Sequence, residues 1–73
     1  MKGLFDVELT VNGKKRTAAD GATITTLLEE LQINPLRVAV QLNQQILKRE
    51  LYERTPLREG DMLEIITFTA GGS

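Results

Sequence analysis

Apolar and polar residues alternate from Phe5 to Val11, which predicts a strand with Phe5, Val7, Leu9 and Val11 on one face. Asn12-Gly13 follows at once, and this dipeptide suits a type I′ hairpin turn because both central residues of that turn need positive φ. Lys14 to Ala18 then reads as the returning strand. After Asp20-Gly21 the period changes. Ile24, Leu27, Leu28 and Leu31 recur at i, i+3, i+4 and i+7, the apolar stripe of an amphipathic helix. Thr23 is placed to cap its first turn, and Asn34-Pro35 is expected to stop it, since proline disfavours helical geometry in the residue before it.

The second half alternates again. Arg37 to Asn43 puts Val38, Val40 and Leu42 on one face, Asn43-Gln44-Gln45 turns the chain, and Ile46-Leu47 is a short strand. Lys48 to Pro56 reads as a loop anchored by Leu51 and Tyr52, with Lys48, Arg49, Glu50, Glu53 and Arg54 facing solvent. Leu57 packs inward and Glu59-Gly60-Asp61 turns into a last strand running from Leu63 to Thr69. If Glu64 faces water, alternation places Leu63 and Ile65 in the core and leaves Ile66 and Phe68 as an exposed apolar patch. The competing reading folds Phe68 over the end of the core.

The order is hairpin, helix, strand, short strand, loop, strand. The first and last strands can pair in parallel at the centre of a mixed sheet of about five strands packed on one main helix. This is an α+β, ubiquitin-like β-grasp roll. Residues 1–69 make the domain and residues 70–73, Ala-Gly-Gly-Ser, a flexible tail. Two consecutive glycines lack Cβ atoms, so the tail can lie extended in a channel too narrow for side chains.

Composition narrows the chemistry. The chain of 73 residues has no cysteine and no histidine, which removes disulfides, thiolate metal sites, a side-chain persulfide and the commonest general base. Nine basic residues against ten acidic ones argue against a nucleic-acid binder driven by phosphate neutralisation, and one tyrosine, two phenylalanines and no tryptophan make poor stacking platforms. No apolar run is long enough to span a bilayer, and Met1-Lys2-Gly3 does not open a signal peptide, so a cytoplasmic protein without membrane contact is expected. Glu29 and Glu30 diverge by about 100° on a helix and do not converge on one site. The run Lys14-Lys15-Arg16 is open to two readings: a partner-binding patch, or charges that stop an edge strand from pairing with another edge. Its shortness favours the second. No constellation supports an enzyme.

Val38-Ala39-Val40-Gln41-Leu42-Asn43-Gln44-Gln45-Ile46-Leu47-Lys48-Arg49, then Leu57-Arg58-Glu59-Gly60-Asp61-Met62-Leu63-Glu64-Ile65, then Ala70-Gly71-Gly72 resemble the ThiS/MoaD-like β-grasp family of ubiquitin-like sulfur carriers. The resemblance spans nearly the whole chain, including Asn12-Gly13 and the Asp20-Gly21-Ala22-Thr23-Ile24 helix entry. Thr67-Phe68-Thr69, where the molybdopterin-synthase subunit often has a proline pair, leans toward the thiamine carriers.

The resemblance implies a carrier and co-substrate with no cofactor of its own. A ThiF-like adenylating enzyme would consume ATP to activate the Gly72 carboxylate, and a persulfide donor would convert it to a thiocarboxylate. A ThiG-like thiazole synthase would then take the sulfur. Ala70 and Gly71 would thread the partner's channel, and Ile66 and Phe68 would dock on the adenylating enzyme. Ser73 departs from the pattern, because it ties Gly72 into a peptide bond. Three readings of it stay open: removal by a peptidase, a remnant of recombinant expression, or a chain that is not a sulfur carrier. Two other functions stay open: a carrier for molybdopterin formation, tRNA thiolation or protein conjugation, and a β-grasp binding module whose tail does nothing.

Overall fold

The computed structural model describes residues 6–68. Five strands form one mixed sheet in the order β2-β1-β5-β3-β4. They are β1 (Val7–Val11), β2 (Lys14–Ala18), β3 (Val38–Leu42), β4 (Gln45–Leu47) and β5 (Met62–Thr67), with one α-helix, α1 (Ile24–Glu30), between β2 and β3. The parallel pair expected at the centre is present, with Thr10 opposite Met62 and Val11 opposite Leu63. β5 runs antiparallel to β3, from Leu63 opposite Leu42 to Thr67 opposite Val38.

Both hairpins turn on residues with positive φ. Asn12 and Gly13 have φ of 51° and 84°, and Asn43 and Gln44 have 51° and 72°. The first pair is the favoured Asn-Gly combination; in the second a glutamine adopts a backbone region that side chains resist. Gln45 accordingly belongs to β4 rather than to the turn.

The sheet's inner face carries Leu9, Val11, Ala18, Val38, Val40, Leu63 and Ile65, and α1 covers it with Ile24, Leu27 and Leu28. Thr23 caps the helix as expected, its hydroxyl accepting from the Thr26 N–H at 3.3 Å. The C-terminus departs from expectation. The helix stops at Glu30, well before Pro35, because Gln32 takes φ of 59°. The Ile33 N–H then bonds the Leu28 carbonyl at 2.9 Å and the Gln32 N–H the Glu29 carbonyl at 3.0 Å. That pair of bonds is a Schellman closure, and it puts Ile33 against the core. Asn34 caps a separate 3-10 turn, Pro35–Arg37, through its side-chain oxygen on the Leu36 N–H.

The segment expected as a loop from Lys48 to Pro56 contains a 3-10 helix, Arg49–Arg54. Tyr52 is its anchor and is buried, whereas Leu51 is 38% exposed and anchors nothing. With about three residues per turn, adjacent positions point about 120° apart, and here Tyr52 takes the inward one. Two backbone bonds fasten the following chain beside the helix start, Leu57 N–H to Ala22 O at 2.7 Å and Ile24 N–H to Thr55 O at 3.2 Å. Leu57 is buried, as its apolar character suggests. Among the described residues no helix is long and apolar enough to cross a membrane.

Candidate functional site

The expected site has two parts: the tail, and the surface from which it leaves. Ala70, Gly71, Gly72 and Ser73 lie outside the described residues, as do Phe5 and Thr69. Ile66 and Phe68 are described, and they stand on the outer face of the sheet, opposite α1. Alternation along β5 buries Leu63 and Ile65 and turns Met62, Glu64 and Ile66 outward. Ile66 is 44% exposed and Phe68 53%, so the phenylalanine does not fold over the end of the core.

These side chains belong to a wider apolar surface. Ala39 of β3 lies opposite Ile66, and Gln41 lies opposite both Glu64 of β5 and Ile46 of β4. Ile46 is 64% exposed, and it lines a shallow depression of ≈ 310 Å³ together with Ala39, Phe68, Lys48 and Arg49. Ile46 was legible in principle: once Leu47 faces the core, its neighbour must face out. Met62, also exposed, extends the same face toward the opposite end of β5. Sequence reasoning named neither residue as part of the site.

Local structure fixes where this face ends. The Phe68 N–H donates to the Arg37 carbonyl at 2.9 Å, one residue past the last strand position. Arg37 is held in turn by the 3-10 turn, its N–H on the Asn34 carbonyl at 2.9 Å. The root of the tail is therefore tied to the body of the sheet by a chain of backbone bonds, with an apolar surface beside it. At the other end of β5, Asp61 is 8% exposed and its carboxylate accepts from the Arg58 N–H at 2.9 Å and from Asn43 Nδ2 at 3.1 Å. The Asn43 side-chain oxygen accepts from the Met62 N–H at 3.0 Å. Those contacts lock the start of the strand whose end presents the site.

Glu29 and Glu30 are both exposed on α1, and among the described residues no three carboxylates gather to hold a metal ion. What the surface offers is exposed apolar area at the end of β5, and such area often marks interaction sites.

Comparison with known proteins gives this arrangement a family. The ThiS family profile matches residues 7–72. The sulfur carrier protein ThiS of Bacillus subtilis is 35% identical over 65 residues, covering 88% of this chain and 98% of its own. A thiazole synthase of Paramagnetospirillum magneticum is 36% identical over 67 residues, which cover 92% of this chain but 21% of that protein, so this chain spans about a fifth of that relative's length. Among solved structures, the crystal structure of the thiamine biosynthesis protein ThiS from Geobacter metallireducens superposes with a TM-score of 0.77 at 38% identity, covering 90% of this chain and all of the other. The profile match over residues 7–72 and the superposition at 38% identity agree: the chain belongs to the ThiS family.

Proposed function

We propose that this chain is a sulfur carrier of thiamine biosynthesis whose reactive atom is the Gly72 carboxyl carbon. The observation that carries the reading is the family match, which runs through Gly71 and Gly72 and stops before Ser73. In the first step a ThiF-like adenylating enzyme joins the Gly72 carboxylate to AMP at the expense of ATP, and pyrophosphate leaves. In the second a persulfide sulfur displaces AMP, and a thiol supplies two electrons to open the remaining S–S bond, leaving a thiocarboxylate. Both steps need Gly72 as the free terminus, so loss of Ser73, for example to a peptidase, precedes them.

The chain's own residues supply recognition. Ile66 and Phe68, with Ala39 and Ile46 beside them, seat the adenylating enzyme, and Ala70 and Gly71 pass through its channel with no side chain larger than a methyl group to obstruct them. No cofactor resides on the carrier; ATP is consumed by the partner. A ThiG-like thiazole synthase is the acceptor we favour, supported by relatives of that name which contain a stretch like this chain within a longer protein. The labile sulfur on the main-chain terminus makes cysteine dispensable. It places the chemistry with partners in the cytoplasm and makes this chain a co-substrate rather than an enzyme.

The test is intact mass after incubation with a cognate adenylating enzyme, ATP and a persulfide donor, using the full chain and a chain ending at Gly72. An oxygen-to-sulfur mass increase in the shorter chain alone is the expected result. No increase in either, with the enzyme active on another carrier, would overturn the reading in favour of a binding module.

A further inference from the structure

The run Lys14-Lys15-Arg16 plays no part in the tail chemistry, and it lies at the far edge of the sheet from β4. Among the described residues β2 has a neighbour on one side only. Val11 pairs with Lys14 across the two-residue turn and Leu9 with Arg16, so the backbone groups of Lys15 and Thr17 point away from β1 into the open edge. The same register sets the Lys14 and Arg16 side chains on the helix side of the sheet. There, between the β2 edge and the chain leaving α1, lies a groove of ≈ 390 Å³. Val11, Ile65, Leu31 and Ile33 give it apolar walls, and Lys14 and Arg16 give it positive charge. The Schellman closure after α1 makes this wall, because it turns Ile33 back toward the sheet.

Arg16 carries the second observation. Its Nε is buried and has no hydrogen-bond partner among the described residues. A buried guanidinium N–H without an acceptor is unfavourable, and a carboxylate is its best complement. The identity of the occupant follows from charge. A second copy of this chain pairing edge to edge through β2 would set two Lys-Lys-Arg runs against each other, which is repulsive. An extended segment bearing carboxylates meets every requirement at once. Its backbone pairs with Lys15 and Thr17, its acidic side chains answer Lys14 and Arg16, and an aliphatic side chain or stem covers Leu31 and Ile33. The charges that guard this edge against itself select an acidic strand.

We infer that the β2 edge and its groove receive an extended acidic segment of a partner protein by strand addition. This surface is on the opposite face of the sheet from Ile66 and Phe68, so both can be occupied together. The inference does not depend on the sulfur chemistry and is tested without it.

The experiment is a titration of the isotopically labelled full chain with the capped heptapeptide Thr-Glu-Glu-Leu-Glu-Glu-Thr, followed by amide chemical shifts. A second titration uses the same peptide with lysine in place of every glutamate. Saturable shifts confined to Lys14–Ala18 and Leu31–Ile33 are expected for the acidic peptide only, weakened at high salt. Arg16→Gln should weaken binding about tenfold through the lost charge-assisted bond. Should that variant misfold, Lys15→Glu, an exposed reversal of charge, should weaken it comparably. The proposal is overturned by an absence of shifts at millimolar peptide, by shifts centred on Ile66 and Phe68, or by equal binding of the lysine peptide. Concentration-dependent β2 shifts without peptide would also overturn it, by identifying a second copy as the occupant.

Discussion

Replacing Phe68 by aspartate separates docking from folding. A phenylalanine buries roughly 150–250 Å² when fully enclosed. Phe68 is 53% exposed, so about 100 Å² remains for a partner to cover. At about 25 cal/mol per Å² that area corresponds to roughly 2.5 kcal/mol of contact. Association recovers only part of such area, and aspartate adds the desolvation of a charge. The two corrections oppose each other, which leaves a loss of about 10- to 100-fold as the expected range. The assay is pyrophosphate release by the adenylating enzyme as a function of carrier concentration, with the carrier ending at Gly72. KM should rise by that factor while the rate at saturation is nearly kept, because Phe68 precedes the proposed reacting residue, Gly72, by four positions in the chain. Thermal unfolding is the companion measurement. The strand contact at this position is made by the backbone, Phe68 N–H to Arg37 O, and survives the substitution, so stability should fall by less than about 1 kcal/mol. An unchanged KM in a folded variant would refute the assignment of this face to the adenylating enzyme.

Two further substitutions test the scaffold behind the site. Asp61→Ala strips the acceptor from the Arg58 N–H and from Asn43 Nδ2, and should lower unfolding stability by roughly 2–4 kcal/mol, read as a drop in the urea midpoint. A change under about 0.5 kcal/mol would mean that water replaces the carboxylate without penalty. Gln32→Gly relieves a side chain from the left-handed region at φ of 59° and should raise the melting temperature by about 2–8 °C, the net of roughly 1–2 kcal/mol of relieved strain against the flexibility glycine adds to the unfolded chain. A lowered melting temperature would show that the glutamine side chain contributes more than its backbone costs.

What could be read from the chain beforehand was periodic. Alternation placed Leu63 and Ile65 inside and Ile66 and Phe68 outside, and the helical stripe from Ile24 to Leu28 was legible because both signals repeat. The features that escaped are single events. Gln32 ends the helix by adopting positive φ, and glutamine, unlike glycine or asparagine, announces nothing of the kind. Pro35 was the visible stop signal, but the chain had already turned. The 3-10 helix at Arg49–Arg54 has one buried residue, Tyr52, and one buried residue defines no period. Asp61 looked like an ordinary turn residue, since nothing local reveals that Asn43, eighteen residues away, donates to its carboxylate.

The same long-range pairing explains where the proposed docking face lies. β5 has β1 on one flank only as far as Leu63, whose carbonyl accepts from the Asn12 N–H at 2.9 Å. β1 then turns away, and the Asn12 side chain takes its place: Oδ1 accepts from the Ile65 N–H at 2.8 Å and Nδ2 reaches the Ile65 carbonyl at 3.4 Å. Past that point, among the described residues, β5 is held by β3 and the Arg37 carbonyl that precedes it, through Ile66 opposite Ala39 and the Phe68 bond to Arg37. Alternation turns the Thr67 backbone groups to the flank that β1 has vacated. One asparagine therefore decides how far the closed sheet extends. Up to Ile65 the strand is clamped on both sides and its inward residues are core. Beyond it the strand is clamped on one side and its outward residues, Ile66 and Phe68, meet solvent on a rigid base. The residues proposed to dock a partner thus stand on backbone that is already ordered, which spares that partner the cost of ordering it.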